Sequence, residues 1–314
     1  CPNRTTYGDI LGDIINSTPA SVEYTLDTDI AGHPIAKFNG TDLPSRLATQ
    51  VTNALSASAT PHFRLIFVGT NRGFLHAFGE VTYTYTDTTV TPNTRIVRGD
   101  ATELWAFMPT DFLANLNYLN ASGTGQHYYG VDGTPYVYFL DLPSTGASSG
   151  NYKIDPGEKA VVVCGLRKGG RSYYGLDISD PFTPYCGETG KLGWALRPDE
   201  SSSLTSDNLD SDIVSTVTLP NVKSIVGNMG FSTCVPEVGR VLFGASPKVR
   251  DVLFLGGGHS LPLADQTSLS APGMNWPALG RSALALDVKT GKIMSAWDFS
   301  SLEMGPVSSG LVPF

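Results

Sequence analysis

Hydrophobic residues occur along this chain in short runs that glycine-rich turns interrupt. Three segments share the same order of an apolar run, a glycine-rich turn and a second apolar run, and they begin at Leu65, Ala160 and Val252. Their starts are 95 and then 92 residues apart. Runs of this length, bounded by glycine, predict antiparallel strands joined by tight turns.

A third apolar run follows each pair and carries a tryptophan. The three tryptophans are Trp105, Trp194 and Trp297, and the last two runs follow the same tripeptide, Thr-Gly-Lys. Three strands in this order are typical of a blade of an antiparallel β-propeller, in which tryptophan can pack between neighbouring blades. We therefore predict an all-β fold, a β-propeller whose ring is incomplete within residues 1–314.

The spacing of the repeat leaves two arrangements open. A propeller blade usually needs only about 40–45 residues, so the longer spacing implies either long insertions or an unmarked blade between marked ones. Residues 136–141 form a strong strand pattern that fits either arrangement. Residues 81–90 alternate tyrosine with threonine and predict a long hairpin arm.

Two short helices are also predicted beside the strands. The first covers residues 44–56, with Asp42 as its cap and one apolar face made of Leu47, Val51 and Leu55. The second covers residues 111–119, with Leu113, Leu116 and Leu119 in line. Such spacing is typical of amphipathic helices. Residues 144–151 and 199–212 are polar and predict loops.

Charge and composition narrow the class of protein. Charged residues make up only 16% of the chain, and the formal net charge is -8. Nucleic-acid binding needs concentrated Lys and Arg, so this balance argues against a nucleic-acid partner. No run approaches the roughly 18 apolar residues of a membrane span, which predicts no transmembrane segment. A surface rich in hydroxyl and amide side chains favours a secreted protein.

The four cysteines, Cys1, Cys164, Cys186 and Cys234, are scattered and form no CxxC pair. This spacing gives no support to a zinc, thioredoxin-like or haem site. In an oxidising compartment we expect one disulfide, with Cys164 and Cys186 as the candidates. The alternative is that all four are small buried apolar residues.

Few residues suggest chemistry. Asp207, Asp210 and Asp212 form the one local acidic cluster that could attract a hard cation, but they lack the alternating spacing and central glycine of a calcium loop. A solvated loop is the favoured interpretation. His76 lies in an alternating strand and predicts a structural histidine. We assign no catalytic, cofactor-binding or metal-binding residue.

Five motifs, in order along the chain, resemble the PilY-like family of type IV pilus tip-associated adhesins. The segment of residues 67–78, FVGTNRGFLHAF, resembles the family's VGANDGMLHAF, and residues 12–19, GDIINSTP, resemble GDIIHSSP. The other three are ELWAFMPTDFL, HYYGVDGTP and GGRSYYGLDISDP, at residues 103–113, 127–135 and 169–181. The resemblance covers about residues 12–181 and is looser after residue 220.

The resemblance implies a propeller at or near the tip of a type IV pilus, exported through the periplasm and outer membrane to the cell surface. It implies a role in pilus biogenesis and attachment to host or abiotic surfaces, with minor pilins as partners and no enzymatic reaction. The family often carries an acidic calcium loop, whose place here would follow Phe314, so calcium is assigned to no residue of this chain. We expect residues 1–314 to form one domain of a longer polypeptide, with another segment or a partner closing the ring.

Two alternatives remain open. Residues 285–292 and Trp297 also fit the propeller repeat of quinoprotein dehydrogenases, although the chain lacks the adjacent cysteines on which many of those enzymes stack their quinone. This likeness concerns the fold alone. The second alternative is a structural component of an extracellular filament or of the cell envelope.

Overall fold

The structure is a computed structural model, and it describes residues 12–89, 94–115, 129–142, 150–184, 193–211, 218–243, 248–259, 279–302 and 306–308. Within these ranges the chain is mainly β, with three four-stranded antiparallel sheets and one two-stranded sheet. The two-stranded sheet pairs β2 with β3. The first seven strands are β1 (Ala20–Tyr24), β2 (Lys37–Phe38), β3 (Thr41–Asp42), β4 (His62–Gly69), β5 (Leu75–Asp87), β6 (Thr94–Phe107) and β7 (Tyr136–Phe139). The others are β8 (Ala160–Gly165), β9 (Tyr173–Asp177), β10 (Gly193–Leu196), β11 (Glu237–Phe243), β12 (Lys248–Gly256), β13 (Ser282–Asp287) and β14 (Ile293–Asp298).

The three large sheets repeat one topology. Sheet 1 has the order β1-β4-β5-β6, sheet 2 is β7-β8-β9-β10, and sheet 3 is β11-β12-β13-β14. The three predicted hairpins are the second and third strands of these sheets, and each tryptophan-bearing run is the fourth strand. Both predictions are therefore confirmed. The long hairpin arm is confirmed as well, because β5 and β6 pair as far as Asp87 and Thr94, beyond the end of β4.

Sheet 2 lies between the other two sheets, and this explains the unbroken apolar run of β8. Ala160, Val162 and Cys164 belong to the core shared with sheet 1. Val161 and Val163 belong to the core shared with sheet 3. A strand that is buried on both faces needs apolar residues at every position rather than at alternate ones.

Tryptophan side chains connect successive sheets in one direction. Trp105 Nε1 in β6 donates to the carbonyl of Pro181, which follows β9 in sheet 2, at 3.0 Å. Trp194 Nε1 in β10 donates to the carbonyl of Val288, which follows β13 in sheet 3, at 2.9 Å. Sheets 1 and 2 thus each bond to the segment after the third strand of the next sheet.

A small residue stands opposite each tryptophan on the neighbouring strand. The cross-strand partners of Trp105, Trp194 and Trp297 are Ala77, Gly175 and Ala283 respectively. A Cβ atom on Gly175 would lie 2.3 Å from the indole of Trp194, closer than any real contact. The small partner therefore leaves room for the indole to lie over the sheet.

The first predicted helix is present, with two corrections. Helix α1 covers Ser45–Ser56 and is preceded by Pro44, with no side-chain cap. Asp42 is wrong as the cap because it lies in β3. The buried face consists of Leu47, Val51 and Ala54, whereas Leu55 is 40% exposed. The sheet covers the middle of the apolar face of helix α1, and Leu55 lies at the edge of that face.

The second predicted helix is shorter than expected within the described residues. A 3₁₀-helix covers Thr110–Asn115, and Leu113 is 56% exposed; Leu116 and Leu119 lie outside the described residues. The predicted loop at 199–212 contains two 3₁₀-helices, Pro198–Ser203 and Ser206–Asn208. Most of the loop at 144–151 lies outside the described residues. Helix α2, Leu219–Gly227, was not predicted, although it has a proline in its first turn.

Candidate functional site

Four of the five sequence motifs meet at one end of the stacked sheets. Asn16 Nδ2 donates to both carboxylate oxygens of Asp132, at 3.0 and 2.8 Å. Arg167 Nη1 lies 3.7 Å from the same carboxylate, and Asp132 is 2% exposed. A buried carboxylate is tolerated when donors of this kind surround it. The motifs at residues 12–19 and 127–135 are thereby joined through Asn16 and Asp132.

Backbone contacts join the same loops. The Gly69 N–H donates to Ser17 Oγ at 2.9 Å, and the Thr18 N–H donates to Thr134 Oγ1 at 3.2 Å. The Val131 N–H donates to the Thr70 carbonyl at 3.0 Å. Motifs that lie far apart along the chain are therefore direct neighbours in space.

Two glycines of these motifs are required by close backbone approach. A Cβ atom on Gly169 would lie 1.9 Å from the carbonyl oxygen of Gly130, and one on Gly133 would lie 2.2 Å from the carbonyl oxygen of Gly165. Real Cβ atoms do not approach so closely. Any side chain at Gly133 or Gly169 would force the loops apart.

Ser232 attaches the segment before sheet 3 to this cluster. Its Oγ accepts from the backbone N–H groups of Leu166 and Arg167, at 2.8 and 2.9 Å. Arg167 has a positive φ of 51°, and successive amides in such a turn converge on one acceptor. We call Asn16, Asp132, Arg167 and Ser232 the loop hub.

A groove of about 500 Å³ opens beside the loop hub, at the ends of sheets 1 and 2. We call it the end groove. Its lining is mostly polar and consists of Thr110, Asp111, Gly169, Gly170, Arg171, Ser172, Arg197, Asp199, Glu200 and Phe231. Its volume lies within the range of roughly 300–1,000 Å³ that is usual for ligand sites.

Asp111 places a carboxylate in the end groove, and two hydrogen bonds hold that carboxylate in position. Its carboxylate accepts from Ser172 Oγ at 2.6 Å and from the Tyr174 hydroxyl. Burial and the neighbouring Asp111 carboxylate raise the pKa of Tyr174 to about 12. Tyr174 therefore keeps its proton at neutral pH and remains a donor to Asp111.

Two arginines supply the cations of the groove, and each is paired. Arg171 pairs with Asp199 and donates through Nη2 to the carbonyls of Gly227 and Met229, each at 2.6 Å. Arg197 Nη1 donates to both carboxylate oxygens of Glu200 at 3.0 and 2.9 Å. Its guanidinium also lies over the ring of Tyr174, 5.8 Å from the centroid.

Two of the three acidic residues singled out as possible metal ligands, Asp207 and Asp210, lie within the described structure. Asp210 is buried and pairs with Arg250. Asp207 is exposed in a 3₁₀-helix, and its N–H donates to Thr205 Oγ1 at 3.3 Å. Asp212 lies outside the described residues. Within the described ranges, no group of three His, Cys, Asp or Glu residues is placed to hold a metal ion.

The cysteine prediction stays open. Cys164 is buried in β8, which is compatible with both alternatives. Its candidate partner Cys186, like Cys1, lies outside the described residues. Cys234 is also buried, and its Sγ accepts from the Gly256 N–H at 3.1 Å. His76 is buried too, with Nδ1 2.7 Å from Glu103 Oε1.

Part of the chain is similar to curated proteins that share one name. Over 204 residues it is 30% identical to the type IV pilus biogenesis factor PilY1 of Pseudomonas aeruginosa. Over 184 residues it is 29% identical to a PilY1 homologue of Xylella fastidiosa. These similarities support a PilY-like family for the 64% of the chain that they cover. This confirms the resemblance on which the five motifs depended.

The matches cover only part of each protein. The first spans 64% of the chain and 13% of the Pseudomonas protein, and the second spans 58% of the chain and 10% of the Xylella protein. No protein-family model and no solved structure matches the chain. Of the helices described for this PilY-like chain, none has the length and apolar character that crossing a membrane requires.

Sequence reasoning did not identify the end groove. Asp111 and Arg171 lie in the recognised motifs, but Arg197, Glu200 and Phe231 lie outside them. The groove brings together residues from four separate chain segments. A local motif cannot indicate such a site, and the one available signal was the presence of glycine and arginine beside one another in the turn at 169–171.

Proposed function

We propose that this PilY-like chain is a β-propeller segment of a type IV pilus biogenesis factor, and that it acts by binding rather than by catalysis. The observation that carries the proposal is the relationship to proteins named type IV pilus biogenesis factors. Surface attachment and contact with minor pilins are the finer parts of the proposal. Both parts require an exported protein, and the low fraction of charged residues in this chain, 16%, is compatible with export.

The directional repeat of the three sheets supports the propeller. Sheet 1 bonds to sheet 2 through Trp105, and sheet 2 bonds to sheet 3 through Trp194. Trp297 occupies the same place in sheet 3 and is 40% exposed. A fourth sheet that continued the series would cover this indole and offer it a backbone carbonyl.

The hydrogen bonding of the buried carboxylate of Asp132 also supports a binding role. Asp132 is enclosed by Asn16 and Arg167 and is not presented to a substrate. Its contacts hold loops together at the end of the sheets. Loops that a rigid scaffold holds in this way commonly carry recognition. Calcium control by an acidic loop after Phe314 remains part of the proposal.

A genetic complementation experiment tests the pilus role. The gene for the full-length protein is deleted and then restored as wild type, as Asn16→Ala or as Arg46→Met. We expect deletion to abolish surface pili and twitching and wild type to restore both. Asn16→Ala should restore less because it removes the donors to buried Asp132.

Arg46→Met is the control, because Arg46 forms an exposed pair with Asp100 far from the hub. It should behave as wild type. The readouts are pilin sheared from the cell surface, twitching zones and attachment to an abiotic surface. Normal pili and normal twitching in the deletion strain would overturn the proposal. Normal pili with lost attachment would instead assign the protein to adhesion alone.

A further inference from the structure

Each arginine that lines the end groove is paired with a carboxylate. Arg171 pairs with Asp199, and Arg197 pairs with Glu200. Asp111 is a third carboxylate, and its charge is stabilised by hydrogen bonds from the hydroxyls of Ser172 and Tyr174. A strongly charged ligand would have to compete with these internal pairs. The groove is therefore poorly suited to phosphate and to other strongly charged groups.

Two groups of the end groove, Arg197 Nε and the Asp111 carboxylate, can nevertheless form further hydrogen bonds with a ligand. The Nε atom of Arg197 is buried and has no hydrogen-bond partner among the described residues. A carboxylate can accept about four hydrogen bonds, and the described contacts of Asp111 are two hydroxyls. Donors and acceptors therefore stand side by side, held in place by Tyr174 and Glu200.

Besides these polar groups, the lining of the groove includes two glycines and one aromatic residue. Gly169 and Gly170 line it without side chains, and Phe231 is the one aromatic residue of its lining. An aromatic ring provides an apolar surface against which the C–H face of a ring-shaped ligand can pack. The groove thus offers both kinds of contact within about 500 Å³.

We infer that the end groove binds a neutral saccharide. A sugar hydroxyl both donates and accepts, so it can bridge a guanidinium and an adjacent carboxylate without breaking their pairing. A neutral ligand leaves the balance of charge in the groove unchanged. The inference rests on the geometry of the groove and goes beyond the pilus role, which it neither requires nor tests.

Binding is measured with purified full-length protein and four neutral trisaccharides: maltotriose, cellotriose, chitotriose and mannotriose. Saturation-transfer NMR detects binding, and titration gives the dissociation constant at low and at high salt. We expect at least one trisaccharide to bind with little dependence on salt, because the ligand carries no charge.

Two variants test the position of the site. Arg197→Met should weaken binding about tenfold or more, as the loss of hydrogen bonds to a charged group predicts. Glu200→Gln changes an exposed carboxylate to an amide of the same shape and should therefore keep the fold. It tests the site even if Arg197→Met fails to fold. It should weaken binding severalfold. The control Arg46→Met removes an exposed ion-paired arginine elsewhere and should leave binding unchanged.

The inference is overturned if none of the four trisaccharides binds, or if binding occurs but neither groove variant changes it. It is also overturned if a lysine-rich or acidic peptide binds the groove instead, with strong salt dependence and sensitivity to Arg197→Met. Loss of pili in the deletion strain is a separate result, so failure here leaves the pilus proposal untouched.

Discussion

Glu23 in β1 shows what single side chains contribute to holding separate segments together. Its Oε1 lies 2.8 Å from His62 Nδ1 in β4 and 2.7 Å from Lys153 Nζ in the segment before β8. Burial alone would raise the pKa of Glu23, but hydrogen bonds from Lys153 and His62 outweigh it, and the pKa lies below its ordinary value of 4.5. The folded state therefore favours the charged carboxylate.

We predict that Glu23→Gln lowers the free energy of unfolding near neutral pH. The variant should also lose less of that free energy than the wild type when the pH is lowered. A carboxylate with a lowered pKa stabilises the fold above its unfolded-state pKa, and the stabilisation is lost as the pH falls through the lower folded-state value. The expected loss at pH 7 is about 0.5–1 kcal/mol, the range for partly exposed pairs. Urea unfolding at pH 7 and at about pH 3 measures it.

Asp42→Asn is the matched control for this prediction, because Asp42 pairs with Lys37 while its side chain is 78% exposed. Its effect should be close to zero at both pH values. An equal loss for Glu23→Gln at pH 7 and pH 3 would contradict the assigned linkage.

At the scale of elements, helix α1 shows how tertiary packing chooses among apolar positions. Leu47 is fully buried against sheet 1, and Leu55 on the same helix is largely open. Gly79 in β5 provides the space for this contact, since a Cβ there would lie 3.0 Å from Leu47 Cδ1. The helix therefore packs against the sheet through the face of Leu47, Val51 and Ala54, and Leu55 lies beside that face.

We predict that Leu47→Ala destabilises the protein by about 2–5 kcal/mol, because it removes a buried side chain and leaves a cavity. Leu55→Ala is the control on the same helix and should change stability by less than about 0.5 kcal/mol. Chemical denaturation of the two variants compares them. Equal effects would show that the helix packs in a different orientation.

At the scale of the whole molecule, the sheets form a series with a direction. The tryptophan face of each sheet meets the opposite face of the next, so that sheet 2 is buried on both sides. In sheet 3 the equivalent face carries Val252, Ala285 and Met294, which form their own small cluster. Such a series, continued through further sheets, would generate a propeller.

We predict that Trp297→Phe destabilises the full-length protein about as much as Trp194→Phe does. Each change should remove one indole hydrogen bond and part of an intersheet contact, at a cost of about 1–3 kcal/mol. Thermal unfolding of the two variants and of Trp105→Phe measures it. A much smaller effect at Trp297 would mean that no fourth sheet covers it, and the propeller proposal would fail.

The sequence by itself determined the three hairpins, the tryptophan strands and the resemblance to the PilY-like family, because strand pairs, glycine turns and short motifs are local patterns. The structure then showed that the unbroken apolar run of β8 is buried on both faces. Tertiary structure alone decided that Asn16 binds Asp132, which lies 116 residues away, and that Arg197 and Phe231 share a groove. These contacts depend on how loops meet after the sheets have packed, and no local pattern of residues specifies that meeting.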